Sequence, residues 1–388
     1  MFWTVILSLW CAIWLVAAYM NIRVTRLVRD LKSIKFDKPK TYPGVSVIIP
    51  ACNEADTLES AIGSKLASGY PDLEFILIDD RSTDSTGEII ERLAREDDRI
   101  RAIKIDKLPE GWLGKPYALK RGTEIAKGEW LLFTDADVHF SPGIIGKAVS
   151  FAEDRGLGQL GIIPRLWSKN FSANVLLSVF MRTYGFGGKL WAADNPKIDS
   201  FTGVGAFNLV RRSAYDKSEG FDWLKCEVGD DIAVGKLIKR AGGKTMIATA
   251  YDDLAVEWYD SVSGIIFGLE RVMFTTVGNF SFIKSALFAL VYLILELLPF
   301  WGIFAFRSPI LLGLCSFMIA LGFFNAVNMN RWSKGPILPA LLFPLGALIY
   351  GAMIIRGGWL GWRRGGIYWR GTFYPAKVLK KGRRVSLT

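Results

Sequence analysis

The chain has 388 residues, of which 51% are apolar, and carries a formal net charge of +11. This length fits one large domain or two smaller ones with additions, and the apolar fraction is high for a wholly soluble protein. The four cysteines lack a framework spacing, which argues against a disulfide scaffold or a zinc site. The basic excess lies mostly at the edges of apolar runs and in the tail, which favours lipid headgroups over nucleic acid as its partner.

Four apolar runs flank a segment of ordinary globular composition. They cover residues 2–20, 286–306, 309–328 and 336–355. Each is close to the ~20 residues that a helix needs to cross a bilayer. No basic residue precedes the first run and no small-residue cleavage site follows it, so we expect a retained anchor. Basic residues follow from Arg23 to Lys35, and the positive-inside rule therefore places the next domain in the cytoplasm.

The segment after the anchor alternates short apolar runs with helical patterns. Strands are predicted at residues 45–50, 73–78, 100–105 and 129–133, and helices at 53–68, 86–96 and 117–126. This alternation indicates an α/β fold with a mainly parallel sheet. The pattern then becomes less regular, with strands predicted at 161–164, 203–210 and 244–249 and helices at 171–184 and 231–241.

Acidic side chains recur where two of these strands end. Asp79 and Asp80 follow one strand, and Asp135 and Asp137 follow another. Such positions line the ligand crevice of an open α/β sheet. Carboxylates at i and i+2 of an extended chain point the same way, and together they suit Mg²⁺ or Mn²⁺ carrying substrate phosphates. A polar turn with one aspartate capping a helix remains the simpler alternative.

No glycine-rich phosphate loop follows the first predicted strand. A G-x-G-x-x-G motif is missing from that position and G-x-x-x-x-G-K-[ST] does not occur, which argues against a dinucleotide dehydrogenase or a P-loop NTPase. His139, the only histidine, is either a third metal ligand or an exposed loop or second-shell residue. Trp167, Trp191 and Trp223 could wall an acceptor site, although single aromatic residues lie more often in the core.

Charges in the C-terminal tail conflict with three crossings after a cytoplasmic domain. Three crossings would leave the tail outside, whereas its lysines and arginines would be kept inside. Pro336, Pro339 and Pro344 break the last apolar run, so we expect that run to be re-entrant or interfacial. Residues 261–280 mix apolar and polar positions at helical spacing. Phe267, Arg271 and Phe274 could therefore lie in the membrane interface, unless this helix packs on the domain.

These patterns divide the chain into six segments. They are an N-terminal transmembrane anchor (1–22), a basic linker (23–43), a cytoplasmic domain (44–260), an interfacial amphipathic helix (261–282), transmembrane or re-entrant helices (283–356) and a basic cytoplasmic tail (357–388). The protein is expected to be integral to the cell membrane.

Five motifs follow one another in a familiar order. They are V-S-V-I-I-P-A-C-N-E, I-D-D-R-S-T-D-S-T, G-K-x-x-A-L, T-D-A-D and G-D-D-I-A, between residue 44 and about residue 280. Together they resemble the family 2 glycosyltransferases of the GT-A fold. The stretches L-P-E-G-W-L-G-K and I-Y-W-R-G resemble the membrane-bound branch that glycosylates lipids, including the hopanoid-associated, carotenoid and ceramide glycosyltransferases.

The resemblance implies donor-binding roles for the matching positions. A nucleotide pocket would be walled by Pro50, Cys52, Asn53 and Glu54. Asp80 would accept from a pyrimidine N3–H, which favours a UDP-sugar. Lys115 would approach the donor phosphates. Asp135 would contact sugar or ribose and share the metal site with Asp137, the main ligand of Mg²⁺ or Mn²⁺.

The resemblance also implies a general base, and two motifs of this sequence depart from the family's pattern. Asp231 matches the base that would deprotonate an acceptor hydroxyl. The family's neighbouring glutamate is Asp230 here, so either carboxylate could serve, with Asp231 preferred and Asp230 as its orienter. Arg271 survives from a Q-x-x-R-W motif that has lost its Gln and Trp, which fits transfer of a single sugar. Trp369 and Arg370 would return to the active-site mouth.

The resulting hypothesis is an inverting, metal-dependent hexosyltransferase. It would move one sugar, with UDP-glucose favoured, to a membrane lipid hydroxyl at the cytoplasmic face. The partners would be the donor, the acceptor lipid and the bilayer, without nucleic acid. Three alternatives remain: transfer to a polyprenyl phosphate, a processive polysaccharide synthase and a catalytically inactive membrane scaffold.

Overall fold

The computed structural model describes residues 1–35, 41–200 and 202–385. Part of the predicted linker and the last three residues of the tail therefore lie outside the described residues. The first helix, α1, spans Phe2–Leu27, so the first basic residues after the anchor continue the helix. Beyond it, Asp30 forms a β-bridge with Thr249, which ties the anchor to the domain.

The first half of the domain follows the predicted alternation. Its elements are β1 (Val45–Ala51), α2 (Leu58–Leu66), β2 (Leu73–Asp80), α3 (Thr86–Glu96), β3 (Ile100–Ile105), α4 (Gly114–Ile125) and β4 (Trp130–Phe133). Almost every side chain of β1 and β2 is buried, because helices cover both faces of this parallel part of the sheet.

The second half contains short elements that the sequence pattern only partly predicts. They are β5 (His139–Phe140), α5 (Ile144–Asp154), β6 (Gln159–Ile163), β7 (Arg165–Trp167), α6 (Phe171–Gly187), β8 (Asn208–Arg211), α7 (Arg212–Tyr215), α8 (Gly220–Leu224), α9 (Asp230–Arg240), β9 (Thr245–Thr249) and β10 (Leu254–Glu257). Helix α5 and the strands β5, β7 and β10 were not predicted.

The main sheet has the strand order β3-β2-β1-β4-β8-β6-β9. Strand β8 is antiparallel to β4 and β6, and the other pairs are parallel. A smaller sheet has the order β5-β10-β7. The carboxyl ends of β1, β2 and β4 therefore share one edge, where an open α/β sheet binds its ligand.

Two predicted boundaries shift at this edge. Pro50 was expected to end β1, yet the strand continues to Ala51. Strand β4 ends opposite Ile48, so Pro50 lies beyond that ladder and its missing N–H costs no bond to β4. The following helix begins at Leu58 rather than at Asn53, because Asn53 has a positive φ of 56° that a helix cannot contain.

The C-terminal third consists of long helices and a hairpin. Its elements are α10 (Val262–Val272), a π-helical turn (Met273–Val277), α11 (Phe282–Ala305), α12 (Pro309–Trp332), α13 (Ile337–Leu341), α14 (Phe343–Arg364), β11 (Gly366–Trp369), β12 (Thr372–Pro375) and α15 (Ala376–Gly382). By length and composition, α1, α11, α12 and α14 could each cross a membrane.

The prediction that Phe267, Arg271 and Phe274 share an interfacial face is wrong for Phe274. Phe267 is 65% exposed, whereas Phe274 is buried against Phe280, with ring centroids 5.7 Å apart. The α-helical register ends at Val272, and the π-helical turn carries the Phe274 side chain inward.

The residues that flank the last apolar run, 336–355, lie on the side of the long helices that faces the domain. Helix α12 ends at Trp332, whose Nε1 donates to the Val28 carbonyl at 2.9 Å. Helix α14 then starts with Phe343, whose ring lies 5.2 Å from that of Phe323 in the middle of α12. It ends at Arg364, whose Nη1 is 2.6 Å from Glu270 Oε1. Between these two ends the chain reaches the middle of α12 at Phe343 and then runs back along α14 toward the domain.

Candidate active site

Loops after β1 and β2 form one wall of a cleft at the sheet edge. Asn53 Oδ1 accepts from the Thr83 backbone N–H at 2.8 Å, and the Glu54 N–H donates to Thr86 Oγ1 at 2.8 Å. Cys52 is half-buried, and its pKa is raised by burial and by the nearby charge of Asp80. Pro50 lies two residues earlier, in β1, opposite Ile78 of β2. The predicted nucleotide-pocket residues therefore share one wall.

Asp80 lies at the carboxyl end of β2 and is 5% exposed. Arg81 donates to both of its oxygens, from Nε to Oδ1 at 2.8 Å and from Nη2 to Oδ2 at 3.2 Å. This bidentate pairing fixes the carboxylate plane at the edge of the cleft. Arg81 has a positive φ of 59°, a backbone strain of the kind that occurs at binding sites.

Lys115 lies at the start of α4 and joins two of the predicted aspartates. Its Nζ is 2.6 Å from Asp135 Oδ1 and 3.7 Å from Asp230 Oδ2. Burial alone would lower the pKa of Lys115, but the charges of Asp135, Asp230 and Asp231 outweigh it and raise that pKa. The lysine therefore stays a cation at the centre of the cleft.

Asp231 and Asp135 both lie close to Gly205. A Cβ on Gly205 would lie 2.7 Å from Asp135 Oδ2 and 3.3 Å from Asp231 Oδ2, so both carboxylates border the same point. The Gly205 N–H donates to Asp231 Oδ2 at 3.1 Å, and the Gly205 carbonyl accepts from the Asp135 N–H at 3.1 Å. Any larger residue at this position would therefore clash with the Asp135 carboxylate.

Asp230 and Asp231 differ in environment although they are neighbours at the start of α9. Asp231 is half-buried and borders the cleft, whereas Asp230 is 3% exposed behind it. Burial raises the pKa of Asp230 to about 7, with Lys115 opposing the shift and Asp231 adding to it. A group that must accept a proton from a bound molecule needs access to it, and Asp231 has the better access of the two.

The raised pKa of Asp230 predicts a pH-dependent stability. Between its ordinary value of 3.8 and about 7, the folded protein binds more protons than the unfolded chain, so stability falls as pH rises through this window. Asp230→Asn is expected to flatten this decline in melting temperature between pH 4 and 8. The exposed control Asp98→Asn should keep it, and an equal slope in all three proteins would contradict the prediction.

Asp137 is exposed beyond Asp135 at the mouth of the cleft. Limited solvation and the charge of Asp135 raise its pKa. His139 is exposed in the short strand β5 rather than in a loop, and its Nε2 lies 3.3 Å from Ser60 Oγ, a contact that favours the reading as an exposed residue. Among residues 1–35, 41–200 and 202–385, no three His, Cys, Asp or Glu side chains form a metal cluster. A cation at Asp135 and Asp137 would need further oxygens from a bound phosphate or water.

Lys65 is a site residue that the sequence reasoning missed. It is fully buried, and its Nζ donates to the Val138 carbonyl and lies 5.2 Å from the centroid of the Phe140 ring. Burial lowers its pKa to about 7 against the charges of Asp137 and Asp135. Its side chain thus ties α2 to the loop after β4 that carries both aspartates. The sequence offered one signal for this position: Lys65 lies one helical turn after Ala61, on the apolar face of the predicted helix.

The C-terminal hairpin β11–β12 closes over this edge. Its turn, Arg370-Gly371, has positive φ at both residues, 46° and 77°, which suits a tight two-residue hairpin. Arg370 Nη2 pairs with Glu54 Oε1, and the Arg271 guanidinium stacks 4.8 Å from the Trp369 ring centroid. The structure therefore brings Arg271, Trp369 and Arg370 to the same cleft as Glu54.

Glu227, which the sequence reasoning also missed, clamps the end of the tail. Its Oε2 accepts from the Arg384 and Val385 N–H groups, the latter at 3.0 Å, and its Oε1 accepts from Gly229 N–H at 2.9 Å. The tail is thereby tied to the turn that precedes Asp230.

The three tryptophans proposed as acceptor walls have structural contacts instead. Trp191 stacks under Arg23 at 4.8 Å, and Trp223 lies between Arg240 at 4.9 Å and Arg384 at 5.0 Å. Trp167 is half-buried in β7 opposite Glu257. Their contacts favour packing roles.

Comparison with known proteins identifies the domain. Residues 46–218 match the model of Glycosyl transferase family 2. The chain carries a family 2 glycosyltransferase domain. Its fold is GT-A-like, with a mixed and mainly parallel sheet, which confirms the fold class predicted from the motifs.

Two curated relatives show the extent of the similarity. The beta-monoglucosyldiacylglycerol synthase of Nostoc sp. is 26% identical over 223 residues, covering 51% of this chain and 43% of the relative. The 4,4'-diaponeurosporenoate glycosyltransferase of Staphylococcus haemolyticus is 32% identical over 136 residues, covering 34% of this chain and 35% of the relative. The chain thus spans less than half the length of these relatives.

One solved structure shares the fold of the glycosyltransferase domain and its helices. The mannosyltransferase PcManGT from Pyrobaculum calidifontis, in complex with GDP-Man and Mn²⁺, superposes with a TM-score of 0.52 at 17% identity. The match covers 93% of this chain and 99% of that chain. At this identity the likeness establishes the fold.

Proposed function

We propose that this protein is an inverting, metal-dependent glycosyltransferase that moves one sugar from a nucleotide sugar to a hydroxyl of a membrane lipid. The observation that carries the proposal is the pair Asp135 and Asp231, whose carboxylates both lie close to Gly205, with Asp135 paired to Lys115. Among the described residues, four helices are long and apolar enough to cross a membrane. A donor in the cleft and an acceptor arriving from the bilayer would meet near these two carboxylates.

The cleft residues divide into a donor side and an acceptor side. Asn53, Glu54 and Asp80 would hold the nucleotide, with Asp80 favouring uridine, and glucose is the favoured sugar. Lys115 would neutralise the donor phosphates. Asp231 would take the proton from the acceptor hydroxyl as its oxygen attacks the anomeric carbon from the opposite face. Asp230, buried behind it, would hold Asp231 in place.

The donor set fits a divalent cation. Asp137 is exposed and Asp135 lies beside it, so both offer hard oxygen ligands toward the cleft. Bound there, Mg²⁺ or Mn²⁺ would supply positive charge for the departing diphosphate. The complex of the structural relative with GDP-Man and Mn²⁺ supports a nucleotide sugar and a metal.

Release of the nucleoside diphosphate from the donor tests the proposal. Full-length protein in nanodiscs would receive lipid extract, Mn²⁺ and a panel of UDP- and GDP-sugars, with lipid products identified by mass spectrometry. The expected result is UDP release that depends on added lipid, with one sugar added per lipid. No turnover with any nucleotide sugar would overturn the proposal, and failure to bind UDP by calorimetry would favour an inactive scaffold.

Two enzymatic alternatives make different demands on the cleft. A polyprenyl phosphate acceptor is already an anion and needs no general base. A processive synthase would stack its chain on the tryptophan after the motif's arginine, whereas here Val272 follows Arg271, and Arg271 stacks on Trp369 of the hairpin. Single transfer to a hydroxyl uses the half-buried Asp231 directly.

Arg370→Gln is expected to raise the KM for the donor by up to about tenfold with little change in kcat. Arg370 pairs with Glu54 on the nucleotide wall, so its loss frees the hairpin from the donor side. The control Arg363→Gln removes the same charge from an exposed position at the end of α14. Equal kinetic changes in the two variants would contradict a specific role for the hairpin.

We propose further that Ile337–Arg364 forms a re-entrant hairpin and that domain and tail are both cytoplasmic. Two contacts support this. Trp332, just before the segment, lies against Tyr251 of the domain with ring centroids 5.8 Å apart, and Arg364, at its end, pairs with Glu270 of α10, the helix that follows the domain. The many positive charges of the tail agree with the positive-inside rule.

Cysteine accessibility tests the side of each segment. In a background with Cys11, Cys52, Cys226 and Cys315 replaced by serine, single cysteines at Lys380 and Glu88 should both react only after the membrane is opened. A cysteine at Arg307, in the loop between α11 and α12, should react in intact cells. Labelling of position 380 from outside would contradict the re-entrant arrangement.

A further inference from the structure

A polar cavity of about 340 Å³ lies between α10, α14 and the C-terminal hairpin. Its charged lining consists of the guanidinium groups of Arg271, Arg356 and Arg364 and the carboxylate of Glu270. Three cations against one anion favour an anionic ligand. Of these residues, only Arg271 reaches the cleft, where it stacks on Trp369, so the charge of the cavity exceeds what the proposed reaction uses.

The arginines have donors available for such a ligand. Glu270 lies between Arg356, with Nη1 to Oε2 at 2.5 Å, and Arg364, with Nη1 to Oε1 at 2.6 Å. A guanidinium carries five N–H donors, so each arginine has further donors beyond that contact. The Nε of Arg271 is buried and has no hydrogen-bond partner in the described part of the chain. Oxygens of a phosphate would satisfy these donors.

Exposed aromatic residues mark the level of the cavity relative to the membrane. Phe267 and Tyr368, at its rim, are 65% and 60% exposed. Trp359 and Trp362 are 42% and 56% exposed on α14, between Arg356 and Arg364. Exposed tryptophans and tyrosines at the end of a membrane helix lie at headgroup depth. The ligand at this depth is a lipid phosphate rather than a soluble anion.

We infer that this cavity binds the phosphate headgroup of an anionic phospholipid that is not itself a substrate, and that this lipid seats the C-terminal hairpin. Tyr368 lines the cavity and lies 5.8 Å under the Arg364 guanidinium. The next two residues, Trp369 and Arg370, reach Arg271 and Glu54 in the cleft. A headgroup held by Arg356 and Arg364 therefore acts on the part of the hairpin that covers the proposed active site.

Lipid binding is measurable without any sugar transfer. Full-length protein in neutral detergent would be titrated with phosphatidylglycerol or phosphatidylcholine and followed by native mass spectrometry. We expect one phosphatidylglycerol to bind at least about tenfold more weakly to the double variant Arg356→Gln, Arg364→Gln. The control Lys380→Gln, Lys381→Gln removes the same charge from exposed tail positions and should bind as the unchanged protein does.

A second variant keeps the test decisive if the double variant does not fold. Glu270→Gln removes the carboxylate that competes for both arginines and should tighten phosphatidylglycerol binding. Equal affinity of the unchanged protein and both cavity variants would overturn the proposal. So would displacement of the lipid by inorganic phosphate at equal concentration, since the ligand would then be a soluble anion. Because no donor sugar is present, the result does not depend on the proposed transferase activity.

Discussion

Replacing Asp231 with asparagine is expected to lower the turnover number by roughly 10²- to 10⁴-fold, the range that general-base catalysis contributes. Asparagine keeps the shape and can still accept from the Gly205 N–H, but it cannot take a proton from the acceptor hydroxyl. The KM for the donor should change little, because Asp231 lies on the acceptor side. Single-turnover kinetics with radiolabelled nucleotide sugar would measure the chemical step.

The matched variant Asp230→Asn separates the two neighbouring carboxylates. Asp230 is 3% exposed behind Asp231, so we expect a smaller loss of turnover from it. A larger loss in Asp230→Asn would exchange the two roles. If Asp231→Asn retains full activity, the acceptor needs no base, and a polyprenyl phosphate would replace the lipid hydroxyl as the acceptor.

Replacing Asp137 with asparagine is expected to lower turnover by about 10²-fold or more, since charge supplied by a metal is worth several kcal/mol to a transition state. Asp137 is exposed at the mouth of the cleft, and an amide there is a poor ligand for a hard cation. The affinity for Mn²⁺, measured by electron paramagnetic resonance in the presence of UDP, should fall in parallel.

The control for this variant is Asp98→Asn, an equal change at an exposed position at the end of α3. It should leave both Mn²⁺ affinity and turnover unchanged. Removal of metal from the unchanged protein with EDTA should abolish turnover, and Mn²⁺ should restore it. Unchanged Mn²⁺ affinity in Asp137→Asn would show that this residue is not a ligand.

The local pattern predicted the first half of the domain well. Strand β3 and helix α3 have the predicted bounds, and β2 extends through the two aspartates that follow its apolar run. These elements carry a clear period of apolar residues because each one packs directly on a neighbour in sequence. The second half mixes β8, which is antiparallel, with strands of two to five residues, and such short elements have too few positions for a period.

Site residues that act through long-range contacts could not be predicted in the same way. In the sequence, Lys65 is an ordinary helix residue. Only the fold brings its Nζ to the Val138 carbonyl, to which it donates. Glu227 has no motif, yet it holds the backbone of Arg384 and Val385. In both cases a buried charge became tolerable only because a distant backbone group satisfied it, and burial of that kind is a property of the assembled fold.

The sequence by itself predicted the resemblance to family 2 glycosyltransferases, the α/β class and the apolar segments, because each of these depends on residue types at short spacing. The tertiary structure decided which side chains meet. Asp135 and Asp231 come together against Gly205, and the C-terminal hairpin brings Arg370 to Glu54 from the far end of the chain. Contacts between residues so distant in sequence arise from packing of the sheet, the long helices and the tail against one another. They cannot be predicted from local periodicity, which reports only on neighbours within one helix or strand.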